Sequence, residues 1–372
     1  MATAIHIERV PPPDLHLPLS PNTVNVRIID TTTSMLCKAD YFLSPTIGNL
    51  HELYCNAFAF LVENPRTGQK LVFDLGVRKD WENLATPMVE RLLAQGFRIN
   101  VEKGVSEILQ EEHVALEDID AIIWSHWHFD HIGDPSTFPE TTSLVVGPGT
   151  LAAKLPPWPE NLASTLTASD IRGREVREIS SAEFTLKIGR FRALDYFNDG
   201  SFYLLDVPGH AIGHICGLAR TTENSFILMG ADTCHHGGQY RPSPYVPLPE
   251  SIKPHPRGDS VTAGPNETCP CSIFEELHPN PAEYRTQQFY SIRVREDGGS
   301  VAFNVQDAKD SIAGLQEFDA ADNVLVVCAH DASLKGIIDV FPQYANAWKD
   351  GEWKEKGRWR FLGDWEIPDH KV

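Results

Sequence analysis

Three imidazoles and a carboxylate stand within six residues in His126-Trp127-His128-Phe129-Asp130-His131. The stretch follows an uncharged run, Ala121-Ile122-Ile123-Trp124, which reads as a buried strand. A strand ending this way delivers several metal donors into one small loop. Neutral imidazole and carboxylate are the ligands that zinc and similar divalent cations prefer. Four such groups exceed what one four-coordinate ion takes from a single loop. The pattern therefore predicts two cations side by side, with the loop feeding both. A lone His-x-His is usually two surface histidines; it is Asp130 and His131 at this spacing that single out metal chemistry. More ligands are then expected downstream, each at a strand end.

Three later segments meet that expectation. Ser201 to Val207 reads as a strand and runs into Pro208-Gly209-His210, with His214 four residues further on. Phe226-Ile227-Leu228-Met229 is a buried run closed by Gly230-Ala231-Asp232, and Val324-Leu325-Val326-Val327-Cys328-Ala329 is another, ending in His330-Asp331. Taken singly, His210, Asp232 or His330 would be structural more often than functional. Behind the first motif, they extend it. His214 reads as a supporting or structural histidine. Asp232 is placed to put a carboxylate between two cations, which a one-metal site does not need.

Elsewhere the chain is a succession of short elements. Residues 1–21 are proline-rich and are expected to form an arm over the surface. Val24 to Ile29 alternates like a strand. Ala57 to Val62 and Lys70 to Asp74 flank Asn64-Pro65-Arg66-Thr67-Gly68 as a hairpin. Asp74, at its end, is either support for the site or a cap for the next turn. Pro87 to Gln95 and Val105 to Gln110 have helical spacing, Ser143 to Val146 and Phe191 to Phe197 read as strands, and residues 152–185 show no clear period. From 22 to 372 the chain is expected to be a single domain with a long Pro- and Gly-rich insertion at about 236–300.

Composition removes several functions. A net charge of −19 without Lys/Arg clusters argues against nucleic-acid binding and against an anionic membrane surface. No run approaches the about 18 apolar residues of a membrane span. The N-terminus has no basic start and no apolar core, so no signal peptide is expected. Seven cysteines without a CxxC pair argue against a disulfide framework and for a reducing, cytoplasmic setting. No G-x-S-x-G elbow supports a serine hydrolase. Oligomeric state is not legible.

With His126-x-His128-x-Asp130-His131, Pro208-Gly209-His210, Asp232 and Ala329-His330-Asp331 in this order, the sequence resembles the metallo-β-lactamase superfamily. The likeness is to the dinuclear branch that holds N-acyl homoserine lactonases and glyoxalase II-like thioesterases. The resemblance implies an α/β (α+β) fold, a four-layer αββα sandwich with the metals at one sheet edge. It further implies that His126, His128 and His210 hold one cation, that Asp130, His131 and His330 hold the other, and that Asp232 bridges them. The implied cofactors are two divalent ions, zinc first, with iron or manganese as alternatives. The implied reaction is opening of a lactone or cleavage of an ester by a hydroxide bridging the two cations; an acyl thioesterase is the alternative, and a non-catalytic binding protein is disfavoured because all seven ligands are present.

Lactonases of this kind carry a tyrosine three residues past the bridging aspartate, where this chain has His235. The proton for the leaving group is therefore expected from Asp130 or His235, unless His235 only packs beside His236. Tyr240 and Tyr245, in the insertion, are the candidate contacts for a small-molecule lactone, ester or thioester. Trp348, Trp353, Trp359 and Trp365 read as packing for the end of the chain.

Overall fold

Each apolar run becomes a strand in one of two six-stranded sheets. The computed structural model describes residues 7, 9–256 and 268–365; parts of the expected arm and insertion lie outside them. In sheet order, the first comprises Asn25–Asp30, Phe58–Glu63, Lys70–Phe73, Ala121–Ile123, Ser143–Val146 and Val176–Glu178. It begins as antiparallel pairs and turns parallel from Lys70–Phe73 onward. The hairpin turn forms because Asn64 Oδ1 accepts from the amides of Arg66 and Thr67, at 2.9 and 3.2 Å. The second sheet comprises Leu186–Ile188, Phe191–Asp195, Phe202–Asp206, Ile215–Thr222, Ser225–Ala231 and Val324–Cys328. Only its last pair is parallel.

Strand alternation sorts the side chains into layers. Val26, Ile28, Phe60, Val62, Phe73 and Ile123 of the first sheet meet Phe202, Leu204, Ile215, Ile227, Met229 and Val327 of the second in the inner core. The opposite face of the first sheet, with Leu61, Val72, Ile122 and Leu144, is covered by Met88 and Leu92 of the helix Thr86–Ala94 and by Val105 and Leu109 of Val105–Glu111. Leu205, Leu218, Leu228 and Val326 on the outer face of the second sheet pack under Ala308, Ile312, Leu315 and Phe318 of the helix Val305–Ala320. The result is the αββα sandwich. Central strands are buried on both faces, so they read as unbroken apolar runs. Each buried Val, Leu, Ile or Phe contributes about 1.5–3 kcal/mol.

A fourth apolar cluster sits beside the sandwich. Met35 and Leu53 belong to a three-stranded sheet of Thr33–Lys38, Glu52–Cys55 and Arg98–Val101. They share the cluster with Leu248, Phe274, Phe289 and Tyr290, and with Phe361, Leu362 and Trp365 near the end of the described chain. Ser291–Ile292, late in the expected insertion, pairs with Leu43–Ser44 in a separate two-stranded sheet. Trp348, Trp353 and Trp365 are buried, the last donating its indole N–H to Tyr290 Oη at 2.6 Å. The arm residues 9–18 lie along the second sheet: Arg9 donates to Ala320 O, Leu15 O accepts from Gly189 N, and Pro18 O accepts from Arg220.

Candidate metal centre

Strand ends bring all the expected ligands together. Past Ala121–Ile123 the chain delivers His126 and His128 from a loop, then Asp130 and His131 from the one-turn helix Phe129–Ile132. His210 follows the strand Phe202–Asp206. Gly209, at φ +119°, has no substitute there, because a Cβ would sit 2.0 Å from Ala308 N at the start of the helix Val305–Ala320. In the second sheet Ala231 pairs with Cys328 after a register shift, so Asp232 and His330 emerge side by side. Ala231 takes φ 42°, and Asp74 takes φ 60°. Two non-glycine residues in left-handed conformations thus flank the site, where local strain is commonly held.

Two ligand groups result. His126, His128, His210 and Asp232 offer one cluster of donor atoms within 4.8 Å of one another; Asp130, His131, His330 and Asp232 offer a second within the same limit. Asp232 belongs to both, one oxygen to each. Its Oδ2 lies 3.2 Å from His210 Nε2 and 3.8 Å from His126 Nε2. Its Oδ1 lies 3.0 Å from His131 Nε2 and 3.1 Å from His330 Nε2. Asp130 Oδ2 is 3.4 Å from His330 Nε2. His210 Nε2 also approaches His126 Nε2 at 3.1 Å and His128 Nδ1 at 2.9 Å.

Outer partners set the tautomers. His330 Nδ1 donates to Asn56 O at 2.6 Å, because a carbonyl only accepts; Nε2 is then the nitrogen turned to the site. His131 Nδ1 meets Asp74 Oδ2 at 2.8 Å, while Asp74 Oδ1 accepts from Ser125 N at 2.6 Å. Asp74 is therefore support for a site imidazole. Ser125 Oγ holds His126 Nδ1 at 3.0 Å. His214 is held by Val207 O through Nδ1 and takes the Asp232 amide on Nε2, so it orients the shared aspartate from behind.

The protein alone leaves this cluster incomplete. His131 Nε2, Asp232 Oδ1 and His235 Nε2 are buried and make no hydrogen bond. Burial, followed by neighbouring imidazoles, keeps His126 uncharged well below its usual pKa; burial likewise lowers His210, and His128 to about 3. Neutral imidazole is the metal-binding form. On the other side burial opposes charge, yet Asp232 and Asp74 hold the His131 pKa up, and Asp232 holds that of His330 at about 9. Unpaired buried polar atoms cost about 1–3 kcal/mol each. The convergence of these imidazole nitrogens and carboxylate oxygens fits a pair of divalent cations, which would displace any proton held between them, and the donor set suits two metal ions.

The cluster forms the floor of a cavity of about 340 Å³. Phe42, Phe97, Trp127, Phe129 and Phe303 line its walls with Met35, Met88 and Leu92.

The metallo-beta-lactamase superfamily model matches residues 54–261. The chain belongs to this superfamily. Among relatives of this superfamily member, the gamma-lactamase FDB1 of Fusarium pseudograminearum (strain CS3096) is 44% identical over 375 residues, covering 98% of this chain and 87% of that protein. The metallo-hydrolase mfmC of Annulohypoxylon moriforme is 43% identical over 361 residues, covering 95% and 90%. A variant of AiiA from B. thuringiensis, solved with N-decanoyl-L-homoserine at its active site, matches with TM-score 0.56 at 16% identity, over 87% of this chain and 99% of that one. That likeness concerns the fold, and agrees with the αββα layers.

Not every expected contact of this metallo-beta-lactamase superfamily chain reaches the cavity. Asp130 lines it. His235 does not: its ring is stacked under Phe42 at 4.2 Å, and its Nε2 is turned to Asp232 Oδ2 at 3.3 Å. His236 is tied to Asp364 at 3.1 Å and packs on Tyr290 and Phe361. Tyr240 and Tyr245 are not among the lining residues either. A 3-10 turn at Gly237–Gln239 swings the chain away, burying Tyr240 against the Arg241 guanidinium, 4.4 Å from its ring centroid. Tyr245 lies near Arg190, in the turn between Leu186–Ile188 and Phe191–Asp195. The walls come instead from Phe42, from Met88 and Leu92 of Thr86–Ala94, and from residues 300–303. Only Trp127 and Phe129, interleaved with the ligands of the first motif, carried a sequence signal for the cavity.

Proposed function

We propose that this chain is a two-metal hydrolase that opens small cyclic amides and esters, γ-lactams and lactones. One observation carries the reading: two ligand groups share Asp232 on the floor of an apolar cavity of about 340 Å³. In this reading His126, His128 and His210 hold one cation, Asp130, His131 and His330 the other, and Asp232 both. Two divalent cations, zinc before iron or manganese for this nitrogen and oxygen donor set, would supply an activated water and polarise the ring carbonyl. The gamma-lactamase among the relatives brings in cyclic amides beside lactones.

The chain's own residues then have three tasks. Phe42, Trp127, Phe129 and Phe303 exclude water and hold a flat, apolar ring against the floor. Asp130 handles the proton. It lines the cavity, and Oδ2 is the oxygen turned to His330. In this reading Oδ1 carries the proton to the leaving nitrogen or oxygen. His235 Nε2, under Phe42 and beside Asp232 Oδ2, acts by fixing the shared carboxylate.

The test is a substrate panel with metal-replete protein: a γ-lactam, the γ-lactone of the same skeleton, an N-acyl homoserine lactone and an acyl thioester. Ring opening of the lactam or lactone with a preference over the thioester is expected. Thioester cleavage alone, or no turnover of any ring, contradicts the reading. Compared at equal metal content, because Asp130 is also a ligand in this reading, Asp130→Asn is expected to lower lactam turnover by about 10²–10⁴-fold, and thioester turnover far less, because a thiolate leaves without a proton.

A further inference from the structure

Lys154 is a cation with no hydrogen-bond acceptor among the described residues, set among aromatic and aliphatic side chains on the cavity wall. It closes the helix Thr150–Lys154, is 93% buried at 7% relative exposure, and lines the cavity. Its Nζ sits 3.1 Å from the centroid of the Trp127 ring. Among the described residues no carboxylate or carbonyl pairs with it. Other buried basic side chains behave differently: Arg174 donates to the carbonyls of Pro135, Phe138 and Thr142, and Lys354 to those of Ala321 and Val324.

The ammonium is partly withdrawn from water and has a ring face as its neighbour. Burial, with the charge of Arg91 beside it, lowers its pKa to about 8. Arg91 lines the same cavity and is held by Tyr41 Oη at 2.7 Å. Among the described residues, no carboxylate lines the cavity apart from the metal-site residues Asp130 and Asp232. In a chain of net charge −19, the described residues give this cavity wall two cations and, outside the metal cluster, no acid. Both are placed to complement negative charge on whatever fills the space.

We propose that Lys154, backed by Arg91, forms an anion-recognising subsite, and that the ligand is a planar aromatic molecule bearing an acidic oxygen substituent, such as a carboxylate, sulfonate or phenolate, away from its reacting ring. The aromatic body stacks among Phe42, Trp127 and Phe129, while the substituent takes the hydrogen bonds that Lys154 Nζ makes with nothing in the protein. A charge-assisted hydrogen bond at a desolvated site is among the stronger polar contacts. Which oxyacid occupies the subsite is a matter of the same chemistry. The proposal rests on the ring-opening reading only for the reacting end of the ligand; its binding test stands apart.

That test uses metal-replete protein and two probes: 2-naphthalenesulfonate, a weak metal ligand, and the neutral 2-(methylsulfonyl)naphthalene. Calorimetry is expected to show the sulfonate binding at least about tenfold tighter to the wild type, the size of one charge-assisted hydrogen bond. Lys154→Met, which keeps the buried stem, is expected to bring the two affinities within about twofold of each other. Lys154→Arg is expected to keep most of the preference. Equal affinities in the wild type, or a preference that survives in Lys154→Met, overturns the proposal; the second result would place the anion on the metals. If no ring is hydrolysed but the sulfonate preference behaves as stated, the reaction assignment fails and the subsite stands.

Discussion

Asp232 and Asp319 are both buried carboxylates in the second half of the chain, and their surroundings are opposite. Asp319 takes a bidentate guanidinium: Arg241 Nε at 3.0 Å and Nη2 at 2.7 Å. Although burial opposes it, Arg241 holds the Asp319 carboxyl well below the usual range. The protein supplies that cation itself. Among the described residues Asp232 meets the imidazoles of His126, His131, His210, His235 and His330, and no Lys or Arg. One of its oxygens is left without a hydrogen bond, as is His131 Nε2. Buried charge that a fold neutralises internally is architecture; buried charge it leaves convergent calls for a cation from outside.

Replacing each aspartate separates the two cases. Asp232→Ala is expected to lose metal from both groups, with activity falling at least about 10⁴-fold, while the melting temperature of the chelator-treated protein changes little. Elemental analysis beside turnover checks it; an Asp232→Ala protein that keeps its metals would erase the contrast. Asp319→Ala leaves Arg241 buried without its partner, and is expected to cost about 3–5 kcal/mol in denaturant unfolding with metal content per folded chain unchanged. If it instead released metal, the two regions would be one coupled network.

Next in size is Asp74, which holds His131 from behind. Asp74→Asn is expected to weaken metal affinity about 10–100-fold in the group of Asp130, His131 and His330, leaving that of His126, His128 and His210 in place. Competition with a chromogenic chelator should show one weakened ion and one retained. Equal weakening of both would mean that Asp232 transmits the loss.

The smallest effect concerns pH. Lys354 donates to Ala321 O and Val324 O at 2.5 and 2.6 Å, below the strand that carries His330. Burial lowers its pKa from 10.5 to about 7. The unfolded chain therefore binds the proton more tightly, and this group's contribution to stability rises as pH increases from about 7 to 10.5. The stability difference between wild type and Lys354→Met should shift in favour of the wild type across that window, by a few kcal/mol at most. A difference that is flat with pH would show that the two carbonyls keep Lys354 charged throughout.

What could be read from sequence followed from where ligands sit. His126, His210, Asp232 and His330 each terminate an apolar strand, so the strand signal and the ligand signal reinforced one another. The helix Val305–Ala320 escaped notice: its buried stripe of Ala308, Ile312, Leu315 and Phe318 is thinned by small and acidic neighbours. The strand Val176–Glu178 is half polar because it closes a sheet edge. The cavity was hardest to foresee. Phe42, Lys154 and Phe303 come from segments far apart in the chain, and no spacing rule joins them. Tyr240 and Tyr245 stand near Asp232 in sequence, but the turn at Gly237–Gln239 carries them away.

Metal content decides most directly whether the convergent imidazoles and carboxylates do what their geometry implies. Protein purified without exposure to chelator, assayed by elemental analysis against its absorbance, should carry two equivalents of divalent metal per chain. One equivalent or none would contradict a two-cation site shared through Asp232.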